Sequence, residues 1–173
     1  LISLEKLVAE GLMEQSDLEL KPSFPQNRVD YAAVMGFKMP LLRKSFANFK
    51  NITSPEIQFD FESFCQGNSE WLDDYALFMS LKNAHGLAVW NTWEEDIRKR
   101  ELGAVQRWEK ELGVEIEYYK YLQFQFFKQW FELKKYCNEK GIKLIGDVPI
   151  YVALDSADVW AHPKMFYLDS MGS

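Results

Sequence analysis

A chain of 173 residues suits one domain with a core of its own, and a composition that is 47% hydrophobic and 16% aromatic excludes a disordered polymer. The net charge is -6, with lysines and arginines scattered among the acids, so there is no electrostatic footprint for nucleic acid, whereas a neutral substrate is compatible. No segment is long and apolar enough to span a bilayer, and the opening Leu-Ile-Ser-Leu-Glu-Lys lacks the charged-then-apolar pattern of a signal peptide, although a first residue other than Met leaves the true N-terminus open.

Ser3 before Leu4, Leu7 and Val8, with Gly11 behind them, reads as a capped short helix and its stop. Residues 12 to 27 hold Asp17, Pro22, Ser23 and Pro25 and read as a surface loop. Asp30 can cap a helix from Tyr31 to Phe49, in which Pro40 predicts a kink or two abutting helices. Ser54-Pro55-Glu56 is a second helix start, with Phe59, Phe61, Phe64 and Cys65 as its apolar side and Gly67-Asn68 as its end. From Ser69 to Ala84, Trp71, Leu72, Tyr75, Phe78, Met79 and Leu81 stripe another helix, closed by His85-Gly86. Trp90, Asn91 and Trp93 mark a turn, and the mixed charges of Glu94 to Glu101 predict a solvated helix or extended connection.

A long helix follows, from Gly113 to a stop at Gly141. Tyr119, Leu122, Phe126, Trp130, Leu133 and Cys137 line one face, and Ile116, Phe124, Phe127 and Phe131 a second, which predicts packing on two sides. Lys120, Lys128, Gln129, Glu132, Lys135 and Glu139 are left to solvent. Residues 1 to 140 thus read as one helical layer.

Lys143-Leu144-Ile145-Gly146-Asp147-Val148 is the one strand the pattern predicts, ended by Pro149. Helix, glycine and short apolar strand form the half-unit of a parallel α/β sheet. At the C-terminal end of such strands the loops converge on a crevice, so Asp147 points at a site, or else closes the strand on nearby backbone N–H groups. A lone strand leaves its N–H and C=O groups in need of partners from elsewhere. Asp155-Ser156 with Asp158 reads as the cap and first turn of a short helix through Trp160, with capping as the job of Asp155. Trp160 either offers an exposed flat face to a ligand or fills the core, and the core is favoured.

His85 and His162 read as helix-end residues, since neither has a carboxylate or Cys at metal-ligand spacing. No metal site is signalled, and no glycine-rich phosphate loop appears, so no cofactor is expected. Cys65 and Cys137 lack partner spacing and read as reduced, buried thiols of a cytoplasmic protein. Most of the aromatic residues are assigned to a helical core, although so rich a share also suits carbohydrate binding.

Gly146-Asp147-Val148-Pro149-Ile150-Tyr151-Val152-Ala153, then Asp155-Ser156-Ala157-Asp158-Val159-Trp160-Ala161-His162-Pro163 and Phe166-Tyr167-Leu168-Asp169, closely resemble the amylomaltases, the 4-α-glucanotransferases of glycoside hydrolase family 77. The likeness runs upstream through Phe126-Phe127-Lys128-Gln129-Trp130, Trp71-Leu72-Asp73-Asp74-Tyr75-Ala76-Leu77-Phe78, Arg28-Val29-Asp30-Tyr31 and Leu1-Ile2-Ser3-Leu4, more loosely between Asn48 and Gly67.

The resemblance implies a mainly α fragment of a longer (β/α)₈ TIM-barrel enzyme, starting and stopping inside its catalytic domain. Residues 1–112 would be a helical insertion subdomain, and 113–173 a barrel helix, strand and following loop. The parent would move α-1,4-glucan segments between maltooligosaccharides or onto glucose by a retaining mechanism. That chemistry takes two carboxyl groups about 5 to 5.5 Å apart, and in the family they sit in later motifs that this chain lacks. No catalytic residue is therefore assigned, and the fragment alone is expected to be inactive. Asp147 matches the Asp beside the subsite of the attacked sugar; Val152 stands where α-amylases carry a sugar-touching His. Asp147, Tyr151 and Trp160 are the expected substrate-binding residues. The partners implied are α-1,4-glucans, maltooligosaccharides and the rest of the parent polypeptide, with no nucleic acid and no membrane. The alternative is a non-catalytic helical interaction or glucan-binding module.

Overall fold

A computed structural model describes residues 2–19, 21–51 and 54–169, so Leu1, Leu20, Ile52, Thr53 and the last four residues of the 113–173 region lie outside the described residues. The described residues are mainly helical and hold no strand. In chain order the α-helices are α1 (Leu4–Ala9), α2 (Gln15–Glu19), α3 (Tyr31–Lys50), α4 (Pro55–Gly67), α5 (Ser69–Ala84), α6 (Glu95–Arg98), α7 (Leu102–Glu111), α8 (Gly113–Glu139) and α9 (Ala157–Ala161).

The termini form where local chemistry dictates. Ser3 caps α1 by accepting the Lys6 N–H at 3.3 Å, and Asp30 caps α3 by accepting that of Ala33 at 3.0 Å. The expected loop of residues 12 to 27 contains α2, because Asp17 reaches back to accept the Glu14 N–H at 3.0 Å and closes a capping-box contact. α3 runs as one helix through Pro40, not as two. The long helix ends as its glycine predicts: Gly141 has φ 74° and the Ile142 N–H returns to the Cys137 carbonyl at 2.9 Å.

The helices gather into two compact units, Leu1–Ser63 with Tyr121–Tyr136, and Phe64–Lys120 with Cys137–Ser173. In the first, Leu4, Leu7, Leu12, Leu42, Phe46 and Phe49 are buried together with Tyr121 and Phe124 of α8. Phe49 and Tyr121 meet with ring centroids 4.9 Å apart, and the Tyr121 hydroxyl hydrogen-bonds Ser45. Gln129, read as solvated, is 9% exposed instead, because its amide serves both backbone groups of Ser3. Phe59, expected on the apolar side of α4, is 67% exposed instead, and α4 has no fully buried residue.

The second unit has a core of Leu77, Phe78, Leu81, Trp90, Trp93, Ile97, Ala104, Val159 and Trp160. Each large side chain here contributes about 1.5–3 kcal/mol by leaving water. Of the two forms expected for Glu94 to Glu101, the helix is the one found, as α6, and it departs from the expectation at Ile97, which is fully buried with the charges around it. α7, unmarked by any cap residue, packs Ala104 onto the same core.

Candidate functional site

The stretch carrying Asp147 leaves α8 at Gly141 and runs from 142 to 149 without helix or strand. The strand expected over 143–148 is thus absent from the described residues. The reason is physical: a strand's hydrogen bonds come from a neighbouring strand, and the described residues supply none. Ile145, Val148, Ile150 and Tyr151 are 82% to 96% exposed, and the Asp147 side chain stands in solvent beside them.

Further along the loop the chain is firmly held. The Trp90 indole N–H donates to the Leu154 carbonyl at 2.7 Å, and Lys82 Nζ lies 2.6 Å from Asp155 Oδ2. Asp155, expected to cap the short helix, binds that ammonium instead, and Ser156 is the cap of α9, accepting the Val159 N–H at 3.3 Å. A hydroxyl one residue nearer to the helix has the shorter reach to its free N–H groups.

Trp160 belongs to the core at 1% exposure. Its N–H donates to the Ile97 carbonyl at 3.2 Å, and its ring meets Phe78 and Trp93 at 5.9 Å each. It presents no face to a sugar ring. The structure leaves Asp147 and Tyr151 on the open segment and places Trp160 beneath the loop that follows, so the three expected residues do not share one surface.

Both histidines end helices. His85 caps α5, its ring stacked on Trp93 at 4.9 Å, with Nε2 2.6 Å from Glu94 and Nδ1 2.8 Å from the Leu81 carbonyl. That hydrogen bond, more than any other contact, holds the Glu94 carboxyl below its usual range. His162 ends α9 and lines a cavity of about 110 Å³ with Trp71, Asp74, Tyr75 and Asp158. In the first unit, an apolar groove of about 560 Å³ is formed by Phe126, Trp130, Leu133 and Tyr136, with the Lys6–Glu132 ion pair at its edge. Among the described residues, no group of three or more His, Cys, Asp or Glu could hold a metal ion, and no helix is long and apolar enough to cross a membrane.

Sequence reasoning missed Lys82 and Trp90. A lysine in the last turn of a helix reads as a favourable charge at the negative end of the dipole, and nothing local to either residue indicates a partner more than sixty positions away.

Comparison with known proteins gives a consistent result. A sequence model of the family described as 4-alpha-glucanotransferase matches residues 1–172. The 4-alpha-glucanotransferase of Synechocystis sp. is 46% identical over 169 residues, covering 98% of this chain and 34% of the relative. That of Thermus thermophilus is 44% identical over 172 residues, with 99% and 34% covered. A solved amylomaltase from Streptococcus agalactiae, in complex with acarbose, superposes with a TM-score of 0.91 at 36% identity, covering 99% of this chain and 34% of that one. The chain spans about a third of the length of the curated relatives it matches.

Proposed function

This chain belongs to the 4-alpha-glucanotransferase family, and from that premise we propose that the whole protein transfers α-1,4-glucan segments between maltooligosaccharides, or to glucose, with retention at the anomeric carbon. In this reading residues 1–112 are a helical insertion and 113–173 a barrel helix, strand and loop of a (β/α)₈ catalytic barrel. The observation that carries it is the stretch after α8, where Ile145, Val148, Ile150 and Tyr151 are 82% to 96% exposed. A stave of a parallel barrel buries both its faces and is apolar along its length for that reason. The half-exposed Leu133 and Tyr136 of α8 suit the same packing, with the rest of the polypeptide as the partner.

Retaining transfer needs a nucleophilic carboxylate and an acid/base about 5 to 5.5 Å apart. Those groups are assigned to other parts of the protein, so these 173 residues supply scaffold and one wall of the groove. Asp147, at the C-terminal tip of its stave, supports the hydrogen-bond network around the attacked sugar, and Tyr151 lies on the loop above it. Trp160 contributes from below, as the core anchor of that loop. A groove closed to water lets an acceptor sugar capture the glycosyl group. The complex of the Streptococcus agalactiae relative with acarbose supports a saccharide-binding groove. Cys65 and Cys137, both thiols, suit the reducing cytoplasm.

The test is disproportionation of maltotriose. A full-length protein should release glucose and longer maltodextrins while the 173-residue chain does not; turnover by the chain alone would overturn the assignment of the carboxylates elsewhere. In the full-length protein Asp147→Asn should lower the transfer rate by about tenfold or more with folding intact. Unchanged rates with a lowered Tm would make Asp147 structural only.

A further inference from the structure

The chain that leaves the Asp147 segment is fastened to one side chain of α5. Lys82 Nζ donates to the Leu87 carbonyl at 2.9 Å, the Ala88 carbonyl at 2.9 Å and Asp155 Oδ2 at 2.6 Å. An ammonium has three protons and no lone pair, so its capacity is filled. The Lys82 side chain is only 11% exposed, and its two carbonyl acceptors sit in the turn where Gly86 and Leu87 hold φ of 60° and 66°. Trp90, at the end of that turn, gives its indole N–H to the Leu154 carbonyl and its backbone N–H to Asp155 Oδ1 at 3.4 Å. One ammonium thereby joins the 86–90 turn to the 154–155 loop, and the Asp155 oxygens are shared between Lys82 and Trp90.

We propose that Lys82 is a positioning residue for glucan transfer, acting through Asp155 to fix the loop that carries Tyr151 and follows Asp147. This rests on the reading of the chain as one wall of the glucan groove. Tyr151 is four residues from Asp155, at most about 14 Å of extended chain, so anchoring Asp155 limits how far Tyr151 can stray. The three N–H bonds of an ammonium fan out of any one plane, whereas those of a guanidinium all lie in one, so arginine is not an equivalent here. Removing the charge leaves a carboxylate and two carbonyls without their shared donor. A loosened groove wall admits water, which then competes with the acceptor sugar for the glycosyl group.

Transfer and hydrolysis are separable by counting reducing ends. Transfer breaks one glycosidic bond and makes another, leaving the number of reducing ends unchanged, whereas hydrolysis adds one for each bond broken. Their ratio does not depend on how much of the enzyme is folded. In the full-length protein acting on maltotriose, Lys82→Met should lower kcat for transfer about tenfold, change KM less, and raise the hydrolysis-to-transfer ratio severalfold. Asp155→Asn should do the same, and the double variant should be no worse than either single one, because the two act as one unit. Should Lys82→Met fail to fold, Asp155→Asn, on the more exposed side of the pair, carries the same ratio measurement. A lowered Tm with an unchanged ratio and an unchanged kcat per folded molecule would overturn the proposal. Asp147→Asn, run alongside, separates the two readings. If it leaves transfer intact while Lys82→Met raises the ratio, Asp147 is misassigned and the clamp stands; if Asp147→Asn lowers transfer while Lys82→Met changes nothing, the clamp alone falls.

Discussion

The guanidinium of Arg100 lies over the indole of Trp160, with Cζ 4.3 Å from the ring centroid, and its Nη2 reaches Asp74. The same residue holds a left-handed backbone, φ 55°, a conformation that costs a non-glycine residue about 1–2 kcal/mol. The stacked cation and the ion pair offset that cost. Arg100→Lys keeps the charge but loses the flat fork that serves both partners. It should destabilise the protein by about 1–2 kcal/mol, read as a lower urea midpoint in Trp fluorescence with an unchanged slope.

Gln129 joins the start of the chain to α8 through a two-way amide contact. Oε1 accepts the Ser3 N–H at 2.7 Å, and Nε2 donates to the Ser3 carbonyl at 3.2 Å. Truncation leaves both backbone groups unpaired in a half-buried place, so Gln129→Ala should cost about 1–3 kcal/mol. Hydrogen exchange at the Ser3 amide should quicken by a matching factor; unchanged protection would show that water replaces the side chain without loss.

Two glycines should respond with opposite sign. A Cβ at Gly36, inside α3, would meet nothing within 4 Å, so Gly36→Ala should raise stability by about 0.5–1 kcal/mol. A Cβ at Gly141 would also meet open space, yet its φ of 74° penalises any L side chain, and Gly141→Ala should lower stability by about 1 kcal/mol. Thermal melts of the two variants check both signs.

The Glu94 carboxyl titrates below its ordinary value, first because His85 hydrogen-bonds it and then because a backbone N–H does. A carboxyl whose pKa is lower folded than unfolded stabilises the folded state fully above its unfolded value, about pH 4.3, and loses that contribution as pH falls through the folded value. Glu94 is 63% exposed, so the effect is small and screened by salt. Glu94→Gln should lower Tm slightly at pH 6 to 7, and the difference from wild type should begin to shrink as the pH falls below about 4.3 and vanish only once it is below the depressed folded value. A constant difference across that range would separate Glu94 from the pH dependence.

Helix starts and stops were legible because they depend on neighbours a few residues away. Ser3, Asp30, Gly86 and Gly141 act through bonds to residues at most five positions off, or through their own φ. What depends on distant partners was hidden. Gln129 reads as solvated until Ser3 is beside it, and Ile97 reads as one apolar residue in a charged run until Trp160 covers it. The apolar run 143–148 has the composition of a strand, but composition cannot supply the second strand that pairing requires. Asp147 was recognisable through the motif around it, whereas Lys82 has no motif, and its part in the loop follows from three distances.

The open stretch from Ile142 to Val152 has a consequence for handling the protein. Apolar, β-branched segments bared to solvent stack with copies of themselves, and charges or prolines within them act as gatekeepers against fibril growth. Here Lys143, Asp147 and Pro149 interrupt Ile142, Leu144, Ile145, Val148, Ile150 and Val152. Substituting Asp147→Val in the isolated chain should therefore bring forward turbidity and thioflavin binding at micromolar concentration. The carboxylate we place at the sugar groove would then also be what keeps the open segment from clumping with copies of itself.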